Sequence, residues 1–128
     1  MLLRVLLVCL AGAVGTGLRY LVSLGAGRLF GARFPYGTLI VNLVGCFFIA
    51  AIVHASLTTS RVSDTWRLVL TTGLMGGLTT YSSFNLETTT LLRDGSYGLA
   101  ALNASVTLGG CFVAGLLGLV AARAAFGS

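Results

Sequence analysis

The segment GLMGGLTTYSSFNLE, Gly73 to Glu87, decides how this chain is read. Three glycines lead into hydroxylated residues around a tyrosine, then an asparagine and a carboxylate, all inside one of the longest apolar runs of the sequence. Glycine is costly in a helix interior, and serine and threonine side chains compete for backbone hydrogen bonds. The insert therefore predicts a helix interrupted partway along.

The surroundings say what kind of helix. Of 128 residues, 56% are hydrophobic and only 9% charged, with a single proline. A soluble domain carries about 25% charged residues, so this chain lacks the polar surface to face water all round. Arg4, Arg28, Arg33, Arg61, Asp64, Arg67, Arg93, Asp94 and Arg123 cluster between apolar runs, leaving only Arg19 and Glu87 within them. The composition is that of an integral membrane protein. Four runs reach the roughly 20 residues needed to cross a hydrocarbon core: 5–24, 36–57, 68–92 and 97–122. The expected architecture is all-α, a single four-helix transmembrane domain over residues 1–128, with the third helix broken near mid-membrane.

The N-terminal MLLRVLLVCLAGAVG imitates a signal peptide, but apolar character continues to Leu24 and Arg19 lies beyond the apparent cleavage site. A retained first helix is expected. Cys9, Cys46 and Cys111 fall in three different spans without metal-type spacing, and read as small packing residues. His54 has no nearby Cys or His and reads as interfacial. A net charge of +5 does not point to nucleic acid, because the arginines stand singly at span ends as membrane-interface anchors. Arg4, Arg61, Arg67 and Arg123 fall on one side; Arg28, Arg33 and Arg93 fall on the other, with Arg19 below them. Orientation follows such asymmetry, and here there is almost none. The chain is expected to insert into lipid both ways round, which makes an antiparallel homodimer possible.

Small residues recur at helical spacing: Ala11 and Gly15, Gly73 and Gly77, Ala114 and Gly118. Such pairs permit close helix approach in lipid. The first and last read as packing, the middle one as part of the break. Backbone groups freed by a break are tolerated only inside protein or against a wet cavity. Half-helix ends at mid-membrane aim carbonyls and N–H groups inward, where they hold cations and anions. The plain alternative is a kink. Three neighbours argue for an ion site. A second half-helix starting near Thr79 or Thr80 places Tyr81 and Phe84 on one face, and aromatic edges are positive. Thr38, Asn42 and Gly45 share a face of the second span, with Asn42 an amide deep in hydrocarbon. Asn103 and Thr107 share a face of the fourth span, which also carries Ser105. No span carries a row of carboxylates for moving cations. Neutral donors suit a small, strongly hydrated anion that must bind without being trapped.

GAVGTGLRY (Gly12–Tyr20), PYGTLIVNLVGCF (Pro35–Phe47) and TTGLMGGLTTYSSFNLE (Thr71–Glu87) resemble the three signatures of the Fluc (CrcB) fluoride channels, in the family's order. The resemblance covers nearly the whole chain. It implies a small four-helix channel of the bacterial inner membrane, assembled as a dual-topology dimer with two pores, that exports fluoride passively and confers fluoride resistance. It further implies that Asn42 is the pore asparagine and that Tyr81 and Phe84 are the box aromatics. Thr79, Thr80, Ser82 and Ser83 correspond to the hydroxyl-rich motif, and Thr38, Ser105 and Thr107 are further pore candidates. A central sodium ion is implied on the backbone carbonyls of Gly76 and Thr79. Arg19 resembles the family's first-helix arginine, with an interface anchor as the alternative. Glu87 resembles its acidic residue, with an arginine partner or a helix cap as the alternative. The fourth-helix polar track is less tightly matched, so Tyr97, Asn103, Ser105 and Thr107 are weaker nominations. Two positions depart from the usual pattern: Tyr81 and Ser83 stand where phenylalanine and threonine are usual. A small multidrug-type dual-topology transporter is the rival, but it needs a carboxylate in the first span, where this chain has only Arg19. An enzyme is not expected, since no nucleophile–base pair or metal cluster is present in the sequence.

Overall fold

The computed structural model describes residues 1–127; Ser128, the last residue of the expected domain, lies outside them. The described residues form helices and connecting turns, with no strand. They are α1 (Leu2–Phe30), α2 (Tyr36–Thr58), an interrupted third span, and α6 (Tyr97–Phe126). The third span comprises α3 (Asp64–Leu68), a π-helical stretch (Val69–Met75), α4 (Gly76–Leu78) and, after two extended residues, α5 (Tyr81–Arg93).

Helices α1, α2 and α6 are each long and apolar enough to cross a membrane, with mean hydropathies of 1.9, 2.2 and 2.0. At 1.5 Å per residue, a helix the length of α6 spans about 45 Å against a core of about 30 Å. Both α1 and α6 outrun the spans expected from hydropathy, because the end of an apolar run is not a stop signal. They end instead at Gly31 and Gly127, whose positive φ of 81° and 86° suits glycine. The third span likewise starts earlier than its apolar run. Ser63 caps it, accepting from the Trp66 N–H at 3.4 Å, and Asp64 in the first turn pairs with Arg67 at 3.3 Å.

The glycines of the third span do not make the break. Gly73 lies within the π-helical stretch, and Gly76 and Gly77 lie within α4. Gly73 and Gly77 permit contact with α1. A Cβ on Gly77 would collide with the carbonyl oxygen of Gly12, and one on Gly73 would meet Ala11 Cβ and Val8 O, both at 2.8 Å. Gly15 reciprocates, its Cβ position filled by the Leu74 carbonyl oxygen and the Leu78 nitrogen. The first and middle small-residue pairs thus pack on one another, as lipid-embedded helices require when dispersion must replace the hydrophobic effect. Gly118 of the last pair lies against the Phe47 carbonyl, which closes α6 onto α2. Val41, Met75 and Leu78 form the buried centre, with Val22, Ile52 and Leu74 packed around them. The outward faces of α1 and α6 stay apolar and exposed, as at Val14, Leu21, Phe112 and Val120.

Candidate ion path at the helix break

Thr79 and Thr80 are the two extended residues, at φ −81°, ψ 158° and φ −157°, ψ 112°. β-Branched residues tolerate such angles well. Thr80 also starts the second half-helix, since its Oγ1 accepts from the Ser83 N–H at 3.1 Å. In an unbroken helix the Thr80 N–H would bond the Gly76 carbonyl. Here it donates to Asn42 Oδ1 at 2.8 Å, and Asn42 Nδ2 donates back to the Thr80 carbonyl at 3.2 Å. Both residues are buried, at 8% and 7% exposure, so water cannot substitute. A side-chain amide, donor and acceptor at once, replaces the missing backbone partners.

The other loosened carbonyls are met from α1. Arg19 Nη1 donates to Thr79 O at 3.3 Å, and Thr16 Oγ1 donates to Gly77 O at 3.5 Å. The guanidinium is thus held at the break. Beyond it, the rings of Tyr81 and Phe84 sit 5.6 Å apart at 56° to one another, Phe84 buried and Tyr81 73% exposed. Thr80 Oγ1 lies 3.2 Å from Ser82 Oγ and donates to Ser83 Oγ at 3.1 Å, joining the hydroxyl motif into one cluster.

Two further links extend the polar line. Thr38 Oγ1 donates to Glu87 Oε1 at 2.6 Å, while Glu87 Oε2 is buried without a partner. On the α6 side, Thr107 Oγ1 donates to Asn103 Oδ1 at 3.3 Å, and Asn103 Nδ2 donates to Thr88 Oγ1 at 2.9 Å. Asn103 is 1% exposed, more deeply buried than Asn42. Ser105 does not join them: two residues from each, it lies on the far side of α6 and is exposed. Tyr97 is exposed at the start of α6, and Gly76 is exposed on the third span.

Two cavities open onto this set. One, of about 630 Å³, lies at the α1–α2 loop and is lined by Arg33, Thr38, Glu87, Thr90 and Asp94 among others. The second, of about 340 Å³, is lined by Asn42, Thr80, Tyr81, Phe84 and Thr107, and also by Cys46 and Cys111. Thr38 and Asn42 are one helical turn apart, about 6 Å along α2. The two cavities are therefore separated, along α2, by a single helical turn.

A hydroxyl has one hydrogen to give and an amide nitrogen two. Thr38, Thr88 and Thr107 commit theirs to Glu87 Oε1, Phe84 O and Asn103 Oδ1. The second N–H of Asn42 stays uncommitted at the wall of the second cavity, and the Ser83 hydroxyl hydrogen stays uncommitted in the hydroxyl cluster on Thr80. Sequence reasoning missed Thr16, although its place one turn before Arg19 on α1 marks it. It also missed that Cys46 and Cys111 share a cavity, which no spacing within either helix reveals.

The family model described as CrcB-like protein, Camphor Resistance (CrcB), matches residues 6–119. A protein of Anaeromyxobacter sp. (strain K), called fluoride-specific ion channel FluC, is 52% identical over 111 residues, covering 87% of this chain and 88% of the relative. A protein of the same name from Sorangium cellulosum (strain So ce56) is 50% identical, covering 89% and 90%. A third, from Clostridium perfringens (strain 13 / Type A), is 42% identical over 98% of both chains. With a family match across most of its length and relatives this similar end to end, the chain belongs to the CrcB family.

Proposed function

We propose that the chain is a fluoride-specific ion channel of the bacterial inner membrane that lets fluoride leave the cytoplasm passively and so confers fluoride resistance. The observation that carries this reading is the set of uncharged donors at the break: the spare Asn42 N–H in the cavity that the Tyr81 and Phe84 rings also line, with the spare Ser83 O–H in the adjoining hydroxyl cluster. Fluoride holds its water tightly, and a conducting site must replace that shell without binding the ion deeply. Neutral amide and hydroxyl donors meet both demands, whereas a fixed arginine in the path would trap the anion. Arg19 is turned to the Thr79 carbonyl instead.

The working unit in this proposal is an antiparallel homodimer. Exposure of Tyr81 at the break supports it, since a ring so placed lines an enclosed path only when a second copy covers it. The near-equal division of arginines between the two sides agrees. A structural sodium ion fits the same arrangement. The Gly76 and Thr79 carbonyls are hard, neutral oxygens at the end of the first half-helix, the chemistry that suits an alkali cation. A second copy would complete the oxygen set. The sodium would fasten the two breaks together, while this chain's amide and hydroxyl groups handle the anion.

Purified protein in liposomes tests the reading. Fluoride release without chloride release is expected, and comparable chloride efflux refutes the selectivity. Asn42→Asp keeps Oδ1 for the Thr80 N–H but replaces Nδ2, with its bond to the Thr80 carbonyl and its spare hydrogen, by an anionic oxygen, so dimer assembly is measured beside flux. Flux should vanish while the dimer persists, and undiminished flux would remove Asn42 from the path.

A further inference from the structure

The second cavity has two thiols in its wall that the ion path does not use. Cys46 lies one turn beyond Asn42 on α2, and Cys111 lies one turn beyond Thr107 on α6. Spans two and four run in the same direction: Gly110 sits on Leu43, and Gly118 further along sits on Phe47. Between them Gly115, one turn beyond Cys111, sets its Cβ position 3.8 Å from the Cys46 carbonyl oxygen, so the two cysteines stand within about a turn of each other in depth. Both line the cavity that also contains Asn42, Tyr81 and Phe84, one from each side of the α2–α6 seam. Neither is fully buried. Cys9, on the outward side of α1, is exposed and lines neither of these cavities.

We propose that Cys46 and Cys111 form a two-thiolate site for a soft, two-coordinate cation of the Cu(I), Ag(I) or Hg(II) class, and that occupancy closes the adjacent ion path. Soft thiolates select such metals over hard cations. The two cysteines suffice because this class accepts two ligands, whereas zinc takes four. No group of three or more potential metal ligands exists among the described residues. Binding is an exchange without redox change: two S–H bonds break, two sulfur–metal bonds form, and two protons leave to water. The bridge ties α2 to α6 beside Asn42 and places a heavy ion in a cavity of about 340 Å³. The blocking consequence rests on the proposed channel reading; the binding does not.

The test uses full-length protein in the Cys9→Ala background, with mercuric ion as the probe and excess glutathione as a monothiol competitor. One mercury per chain should survive the competitor, with both remaining thiols lost to maleimide labelling. Cys46→Ala and Cys111→Ala, each added singly, should retain none, because one thiolate cannot outcompete excess glutathione. Fluoride efflux from liposomes should fall at least tenfold on mercury addition and recover with dithiothreitol, with both single variants insensitive. Equal mercury retention by the single variants, or free labelling of both thiols in loaded protein, overturns the site. Undiminished efflux from protein shown to carry one mercury per chain overturns the closure. Protein that binds mercury through both thiols but releases no fluoride beforehand supports the site and counts against the channel reading alone.

Discussion

Replacing Asn42 with alanine probes the arrangement most directly. The Thr80 N–H has Asn42 Oδ1 as its partner at 2.8 Å, at a position 7% exposed. Truncation leaves that donor buried and unpaired, which costs about 1–3 kcal/mol. The Thr80 carbonyl suffers less. As the cap residue of α5 it still accepts the first bond of the helix, so it loses only the second bond from Asn42 Nδ2. An interhelical hydrogen bond of that kind averages about 0.6 kcal/mol in membrane proteins. Together the loss is about 2–4 kcal/mol, a shift of roughly 30- to 700-fold in the folding equilibrium at about 1.4 kcal/mol per tenfold. Equilibrium unfolding in mixed detergent micelles reads this, and fluoride efflux from the same preparation reads the second role of Asn42. Asn42→Ala should be less stable by that amount and deficient in flux. A variant within about 0.5 kcal/mol of the parent, the range of an indifferent surface change, would refute the idea that this amide substitutes for the broken helix.

Gly77→Ala pushes a methyl group into the Gly12 carbonyl and should cost about 1–3 kcal/mol, the usual penalty of overpacking. Gly17→Ala, with nothing within 4 Å of its added carbon, should instead be neutral or stabilising by up to about 1 kcal/mol in the same unfolding assay, since alanine is the better helix former. Tyr81→Phe removes a hydroxyl from a ring that is 73% exposed and keeps the aromatic edge, so fluoride efflux should persist; a dead variant would make that hydroxyl essential. Exchanging sodium for a large organic cation throughout purification should weaken dimer assembly or efflux, as measured by light scattering and a fluoride electrode. Indifference through repeated exchange would count against the carbonyl site on Gly76 and Thr79.

Much of this molecule is legible from local chemistry. Apolar runs broken by arginines reveal membrane spans, because hydrocarbon excludes charge wherever it occurs in the chain. Hydroxyl side chains after a glycine cluster reveal an interruption near Thr79, and i, i+4 spacing puts Asn42 on the face that meets it. The exact mechanism of the interruption is not local. Gly73, Gly76 and Gly77 have the propensity of helix breakers yet stay helical, because α1 comes close enough to occupy the space where side chains would stand. The chain parts two residues later, where Asn42 supplies the bonds that make parting tolerable.

Partnerships between helices lie outside any pattern read along one of them. Periodicity reports which face a residue occupies, but not which neighbour fills that face or at what depth. Only the folded arrangement turns Arg19 toward the Thr79 carbonyl and Thr38 toward Glu87, sends Asn103 to Thr88, leaves Ser105 on the outside, and sets Cys46 and Cys111 in the wall of one cavity. The sequence by itself determined the solvent, the three long apolar helices and the place of the weak point, since each follows from transfer energies and backbone preferences of single segments. Tertiary structure decided which donors are consumed by the protein and which remain for an ion, because a hydrogen bond exists only once both of its ends have been brought together.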